Sequence, residues 1–186
     1  MNDDGKQATR SWRSNQNHGR ELMPAIVESL AELSLTAQDI THVGVGLGPG
    51  GFSAVRVGIS AALGLAVAKQ LPVLGIPTHD IEAEPHLGDV TKSSPLYSLI
   101  PAGRNEISWT RHGVSKEQTI GIASPEELSQ LMEPTALICG EACDLMAGLV
   151  DQSRFRSHEL PTRDPKSIIK IALAQLNSGS STPYEK

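Results

Sequence analysis

Cysteine is scarce: the 186 residues hold two. Two thiols cannot build a disulfide framework, which points to a reducing compartment. Cationic excess is missing as well. Lys and Arg number 16 against 21 Asp and Glu, a net charge of −5 with histidine neutral. That balance argues against a general nucleic-acid binder, whose affinity needs clustered cations to displace counterions. It leaves room for a subunit that assists a nucleic-acid enzyme. No apolar run is long enough for a membrane. The stretch from Val57 to Ala68 is bounded by Arg56 and Lys69 and falls short of the roughly 20 residues a spanning helix needs. The opening Met1-Asn2-Asp3-Asp4-Gly5 has no apolar signal region. These lacks, with 39% hydrophobic residues, describe a soluble, cytoplasmic protein of one large domain or two small ones.

Several catalytic signatures are also missing. No G-x-x-x-x-G-K-[ST] sequence occurs, and none of His18, His42, His79, His86, His112 and His158 stands four residues from another. No helical metal pair can therefore form. Cys139 and Cys143, spaced C-x-x-x-C without a second pair, read as buried small hydrophobes rather than zinc ligands. Gly51-Phe52-Ser53-Ala54-Val55 breaks the G-x-S-x-G pattern at its last position, so Ser53 reads as a helix cap and not a nucleophile. His79-Asp80 suits acid–base chemistry by residue type, yet adjacent side chains seldom point the same way.

What is present alternates strand and helix. Gln7–Arg13 is expected as a charged edge strand. Leu22, Ile26, Leu30 and Leu33 recur at helical spacing, with Met23 and Val27 widening the stripe and Pro24 in the first turn. Thr41–Gly46 and Leu71–Ile76 read as strands around a helix from Ala54 to Lys69, a parallel βαβ unit. Gly58, Ala61, Gly64 and Ala68 line that helix with small side chains. Residues 80–95, broken by Pro85, Gly88 and Pro95, read as an interdomain connection. Leu96–Ile100 and Ile107–His112 form a hairpin, Ser124 caps a helix opened by Pro125, and Thr135–Cys139 is a strand. Helices are expected over Glu141–Leu149 and from Asp164-Pro165 to Leu176, followed by a flexible tail.

Gly46, Gly48 and Gly51 satisfy G-x-G-x-x-G between a strand and a helix. The dinucleotide fingerprint fails beyond that point, since the next acidic residue is Asp80 and Pro49 removes an amide donor. A tight turn requiring positive φ is the simpler reading, with a weak phosphate site as the alternative.

The order of these motifs resembles the TsaB family. Gly48, Pro49, Gly50, Phe52, Arg56 and Gly58 match the pattern G-P-G-S-F-T-G-L-R-I-G, while Gly51, Ser53 and Ala54 depart from it. His18 and Leu22-Met23-Pro24 match the start of the family's first helix. Ile100-Pro101-Ala102-Gly103-Arg104-Asn105-Glu106-Ile107 resembles its I-D-A-R-R-G-E-V hairpin. The resemblance implies an α/β, actin-like ATPase (ribonuclease H-like) fold of two related halves, 1–84 and 85–176, before a tail at 177–186. It implies a non-catalytic subunit in threonylcarbamoylation of tRNA adenosine (t6A), a partner for the transferase TsaD and for TsaE. It further implies a homodimer in isolation, contact with tRNA only through partners, and no cofactor beyond ATP at an interface shared with TsaD. The partner surface would use Leu22, Ile26 and Leu30 of the first helix with Gly58, Ala62 and Ala66 of the second. TsaD carries a metal-binding H-x-x-x-H after the strand equivalent to Leu71–Ile76, where this chain has His79 and then Ala83. The family's opening I-D-T-S strand and the strand after it find no counterpart before Gly5. A first sheet incomplete at its N-terminus, low stability, self-association and negligible ATP affinity are therefore expected. The rival reading is an enzyme on the same scaffold, a phosphotransferase or peptidase-like hydrolase, with a dinucleotide-binding oxidoreductase behind it.

Overall fold

The computed structural model describes residues 5–12, 14, 17–114, 119–156 and 162–179. In chain order the elements are α1 (His18–Glu32), β1 (Val43–Gly46), α2 (Phe52–Val67), β2 (Val73–Ile76), α3 (Thr78–Ala83), β3 (Leu96–Gly103), β4 (Glu106–His112), β5 (Thr119–Ala123), α4 (Pro125–Leu131), β6 (Leu137–Cys139) and α5 (Pro165–Asn177). They fall into two compact units. One comprises Met1–Leu47, Gly51–Ile76 and Ile168–Lys186, the other Gly48–Gly50 and Pro77–Ser167.

In the first unit β1 and β2 run parallel, in register from Val43 opposite Val73 to Gly46 opposite Ile76. This is the expected βαβ pair, and among the described residues its sheet has two strands. Val45 packs on α2 near Gly58, and a Cβ on Gly44 would lie 3.8 Å from Ile76 and 3.9 Å from Ala172 and Ile168 of α5. The strand expected over Gln7–Arg13 does not form where it is described, and Arg13 lies outside the described residues. Side chains hold this segment instead. Arg10 pairs with Glu32 at 2.7 Å, and Trp12 Nε1 donates to Glu21 at 2.9 Å. A groove of about 370 Å³ runs between Ala8, Arg10 and Trp12 and the α1 residues Leu22, Ile26 and Leu30.

The second unit is built on one sheet in the order β5-β4-β3-β6. β3, β4 and β5 form an antiparallel meander, and β6 lies parallel beside β3. The β3–β4 turn places Arg104 and Asn105 at φ of 49° and 61°, the left-handed geometry that matches hairpin twist. β3 is buried on both faces. Tyr97 and Leu99 join Ile107, Leu128, Ile138 and Met146 on one side, while Leu96 packs with Ala83, Leu137 and Cys139 on the other. α4 starts as expected, with Ser124 accepting from the Glu127 amide and the Glu127 carboxylate accepting from Ser124.

Three expectations change. Residues 80–95 are not a mere connection, because Thr78, His79, Ile81, Glu82 and Ala83 of α3 are buried and the helix packs on β3. The compact units divide at Ile76/Pro77, and residues from Ile168 onward belong to the first unit. The helix expected over Glu141–Leu149 shrinks to a 3-10 turn at Cys143–Met146, between Gly140 at φ +105° and Gly148 at φ +80°. Ser53 does not cap α2, whose N-cap is Gly51 with no side-chain bond. β5 was not foreseen. Of the expected tail, residues 180–186 lie outside the described residues, as do Asn2, Asp3 and Asp4.

Candidate functional site

The glycine-rich turn begins where β1 ends. The Leu47 amide donates to the Ile76 carbonyl at 2.9 Å, which extends the β1–β2 pairing by one residue. Leu47 needs Gly75 opposite it, since a Cβ there would come within 2.7 Å of Leu47 Cδ1. Gly48 has φ +93°, the Gly48–Pro49 peptide is cis, and the Gly48 carbonyl accepts from the Thr78 amide at 2.9 Å. Phe52 opens α2 with 72% of its surface exposed, and the Arg56 guanidinium sits 5.0 Å over its ring. A cation so placed gains about 0.5–1 kcal/mol from the ring at an exposed position. These contacts build a tight strand-to-helix turn.

A buried polar chain lies where α3 meets β3 and β4. His79 Nδ1 is 2.9 Å from Ser98 Oγ and its Nε2 is 3.0 Å from Ser108 Oγ. Ser98 Oγ also lies 2.9 Å from His112 Nε2. Burial, then the neighbouring His112, pushes the His79 imidazole down to about 4, and burial lowers His112 too. Three residues on, the buried Glu82 accepts from Thr162 Oγ1 at 2.9 Å and pairs with Arg163 at 3.0 Å. Its other oxygen has no hydrogen-bond partner, and burial raises its pKa above the usual carboxylate value. Cys139 and Cys143 are buried thiols. Burial and nearby Glu82 push Cys143 up to about 12 and Cys139 well up, which disfavours the thiolate a metal or an electrophile would require.

The helix faces sort differently from the sequence expectation. Leu22, Ile26 and Leu30 are half-buried against residues 8–12. Ala62 and Ala66, expected on a partner surface, are 5% and 1% exposed, so they pack the interior of their unit. Gly58 is half-buried, with its α-carbon turned toward Val45. Besides Phe52 at the start of α2, the large apolar side chains that α1 and α2 present outward are Met23 and Val27, and Leu63 and Val67. Each of these two pairs stands one helical turn apart, a signal the sequence contained at Met23 and Val27 as the flank of the stripe.

A sequence model of the family described as TsaD, tRNA N6-adenosine threonylcarbamoyltransferase, matches residues 13–146, well over half the chain. The chain belongs to this family. Among solved structures it is similar to YeaZ from Pseudomonas aeruginosa, with a TM-score of 0.71 and 20% identity over 90% of this chain and 81% of that one. A second structure, of an uncharacterized protein with similarity to peptidase YEAZ from the same organism, matches with a TM-score of 0.68 and 18% identity over the same shares. At such identities the likeness shows the fold, which is the actin-like, ribonuclease H-like one.

Within the TsaD family frame, the position that would carry the first metal histidine is filled by His79, and both of its ring nitrogens are already held by serine hydroxyls. Ala83 stands where the second would be. A metal ligand needs a free ring nitrogen and companions. This chain's equivalents do not fit the group. Among the described residues no cluster of three His, Cys, Asp or Glu could hold a metal ion, and no helix is long and apolar enough to cross a membrane.

Proposed function

We propose that this chain is the TsaB-type, non-catalytic subunit of tRNA t6A modification, binding and activating a TsaD transferase. The observation that carries the reading is His79, whose two ring nitrogens are consumed inside the protein at 2.9 and 3.0 Å. A family member that spends this histidine on packing is better suited to support a catalyst than to be one. The partner surface of this reading is the outward face of α1 and α2, where Met23, Val27, Leu63 and Val67 are exposed beside the half-buried Leu22, Ile26 and Leu30. The same face serves a second copy when TsaD is absent. TsaE joins through the assembly, tRNA is met through TsaD, and ATP binds at the interface shared with TsaD.

Reconstituted threonylcarbamoylation of tRNA by TsaD, with and without this chain, tests the reading. The chain should raise TsaD turnover and make no t6A alone. Val27→Glu and Leu63→Glu place a charge in a desolvated contact, which costs several kcal/mol when the charge lacks a counter-ion. Both variants should lose TsaD in a pull-down while keeping native circular dichroism. Turnover by the chain alone, or no effect on TsaD, would reject the proposal.

A further inference from the structure

The Ser108–His79–Ser98–His112 chain joins three elements by side chains alone. α3 contributes His79, β3 contributes Ser98, and β4 contributes Ser108 and His112. All four side chains are buried, with exposures of 4%, 0%, 7% and 5% in that order. Each link is 2.9 or 3.0 Å long. A serine hydroxyl offers one proton and two lone pairs, and a neutral imidazole offers one donor and one acceptor. With both rings neutral every link can therefore be made, in either direction along the chain. One added proton still fits. His79 then donates to Ser98 and to Ser108, and Ser98 gives its own proton to His112. A second proton does not fit. Both rings would donate to Ser98, whose O–H would lose its ring acceptor, and two cations would face each other across one buried oxygen.

We propose that this chain is a proton-operated latch that holds α3 on the β3–β4 hairpin and releases it when both histidines are charged. The charges around the cluster favour a threshold rather than a gradual response. On α3 itself, Asp80 attracts a proton to both rings, while Glu82 is committed to Arg163 and Thr162. Arg163 opposes a charge on His79, and His112 opposes it from β4. Of the other charged groups on β4, Arg111 is paired with Glu133 and Glu106 lies at the exposed hairpin end. β3 carries no charged residue. After α3, Glu84 accepts from Ser167, and His86 and Asp89 follow on the 3-10 turn that packs on α3. The latch also reaches Gly48 of the same unit, because the amide of Thr78, the first residue of α3, is what the Gly48 carbonyl accepts from. Opening α3 frees Gly48.

The test follows the intact chain by NMR of its histidine Cε1 protons and by hydrogen exchange, from pH 8 down to pH 3, below the value of about 4 to which His79 is pushed, with free histidine as an internal reference. The expected result is that His79 and His112 take up protons well below the reference. The protection factor of α3 should then fall at least tenfold over the pH range where the second ring charges, while that of α4 holds. His112→Gln removes the second proton without removing a hydrogen-bonding group, and its α3 protection should stay flat across that range. Rings that titrate with the reference, α3 protection that does not follow them, or a His112→Gln protein that opens at the same pH would each overturn the latch. Where His112→Gln does not fold, the wild-type titration decides by itself.

Discussion

Gly140 sits at φ +105°, and a Cβ built on it would lie 2.5 Å from the Leu99 carbonyl oxygen and 3.1 Å from the Leu99 nitrogen. Both obstacles are backbone of the central strand β3, so neither can swing aside. Left-handed strain of about 1–2 kcal/mol adds to an overpacking cost of about 1–3 kcal/mol. Gly140→Ala should therefore lower unfolding free energy by about 3 kcal/mol in urea melts. Gly121→Ala makes an equally short contact, 2.6 Å to Trp109 Cζ2, but that neighbour is a partly buried side chain able to tilt. Its cost should be about 1 kcal/mol, toward the low end of the overpacking range. Equal losses for the two variants would show that β3 yields as easily as an indole ring.

Two buried titrating groups on α3 act with opposite sign. His79 stays neutral when folded, with its pKa down to about 4 from the ordinary 6.5. The stability it gives is complete above 6.5 and is lost as pH falls toward 4, at most about 3 kcal/mol. Glu82 is raised above the ordinary 4.5, so the folded chain binds its proton more tightly than the unfolded one. Its carboxyl favours the fold at low pH, and that advantage disappears as pH rises through the folded value. Glu82→Gln should accordingly gain stability relative to wild type between pH 4.5 and pH 7.5, as read by parallel urea melts. A constant difference across that range would mean that Arg163 keeps the carboxylate charged throughout.

Helix starts show how differently two serines behave. Ser124 accepts from the Glu127 amide while the Glu127 carboxylate returns the bond, and this box anchors the buried Leu128. Ser124→Ala should cost about 1 kcal/mol. Ser53 stands beyond the N-cap of α2 and makes no cap bond, so Ser53→Ala should fall within about 0.5 kcal/mol of wild type. Thermal melts of the two single variants check both values. A loss at Ser53 comparable with that at Ser124 would mean that Ser53 is the cap and α2 begins at Ala54, two residues later than Phe52.

The two units differ in how much apolar surface they bury. Among the described residues, the buried hydrophobics of the first unit are Ala62, Ala66, Leu71, Leu74 and Ile76, and no residue of α1 is fully buried. The second unit buries a continuous set from Leu96, Leu99 and Ile100 to Ile138 and Met146, with a four-stranded sheet between its faces. Local opening free energy follows burial and hydrogen bonding. Amides of α1, β1 and β2 should therefore exchange earlier than those of β3, β4 and β6 in native-state hydrogen exchange. Uniform protection across both groups would contradict the comparison.

Short-range rules were sufficient for the βαβ pair, the hairpin, the Ser124 cap and the last helix, because period, turn residues and caps act over a few neighbours. The order of the glycine turn and its flanking segments also carried the family, since colinearity of many weak matches is specific where one G-x-G-x-x-G is not. Other features depended on who packs on whom. Residues 80–95 read as a connection by Pro85, Gly88 and Pro95, yet their first residues belong to the helix α3, because a sheet face buries Ile81 and Ala83. Ala62 and Ala66 look identical to surface alanines until the tertiary contacts bury them. Gln7–Trp12 has strand-like residues but finds ion-pair and indole partners on α1 in place of a ladder. His79, Ser98, Ser108 and His112 are far apart in sequence, and a hydrogen-bonded chain among them requires that a helix and a hairpin be brought together. The sequence by itself determined the βαβ pair, the hairpin, the Ser124 cap, the last helix and the family. Only the tertiary structure decided which polar groups are buried, because burial is set by residues distant along the chain.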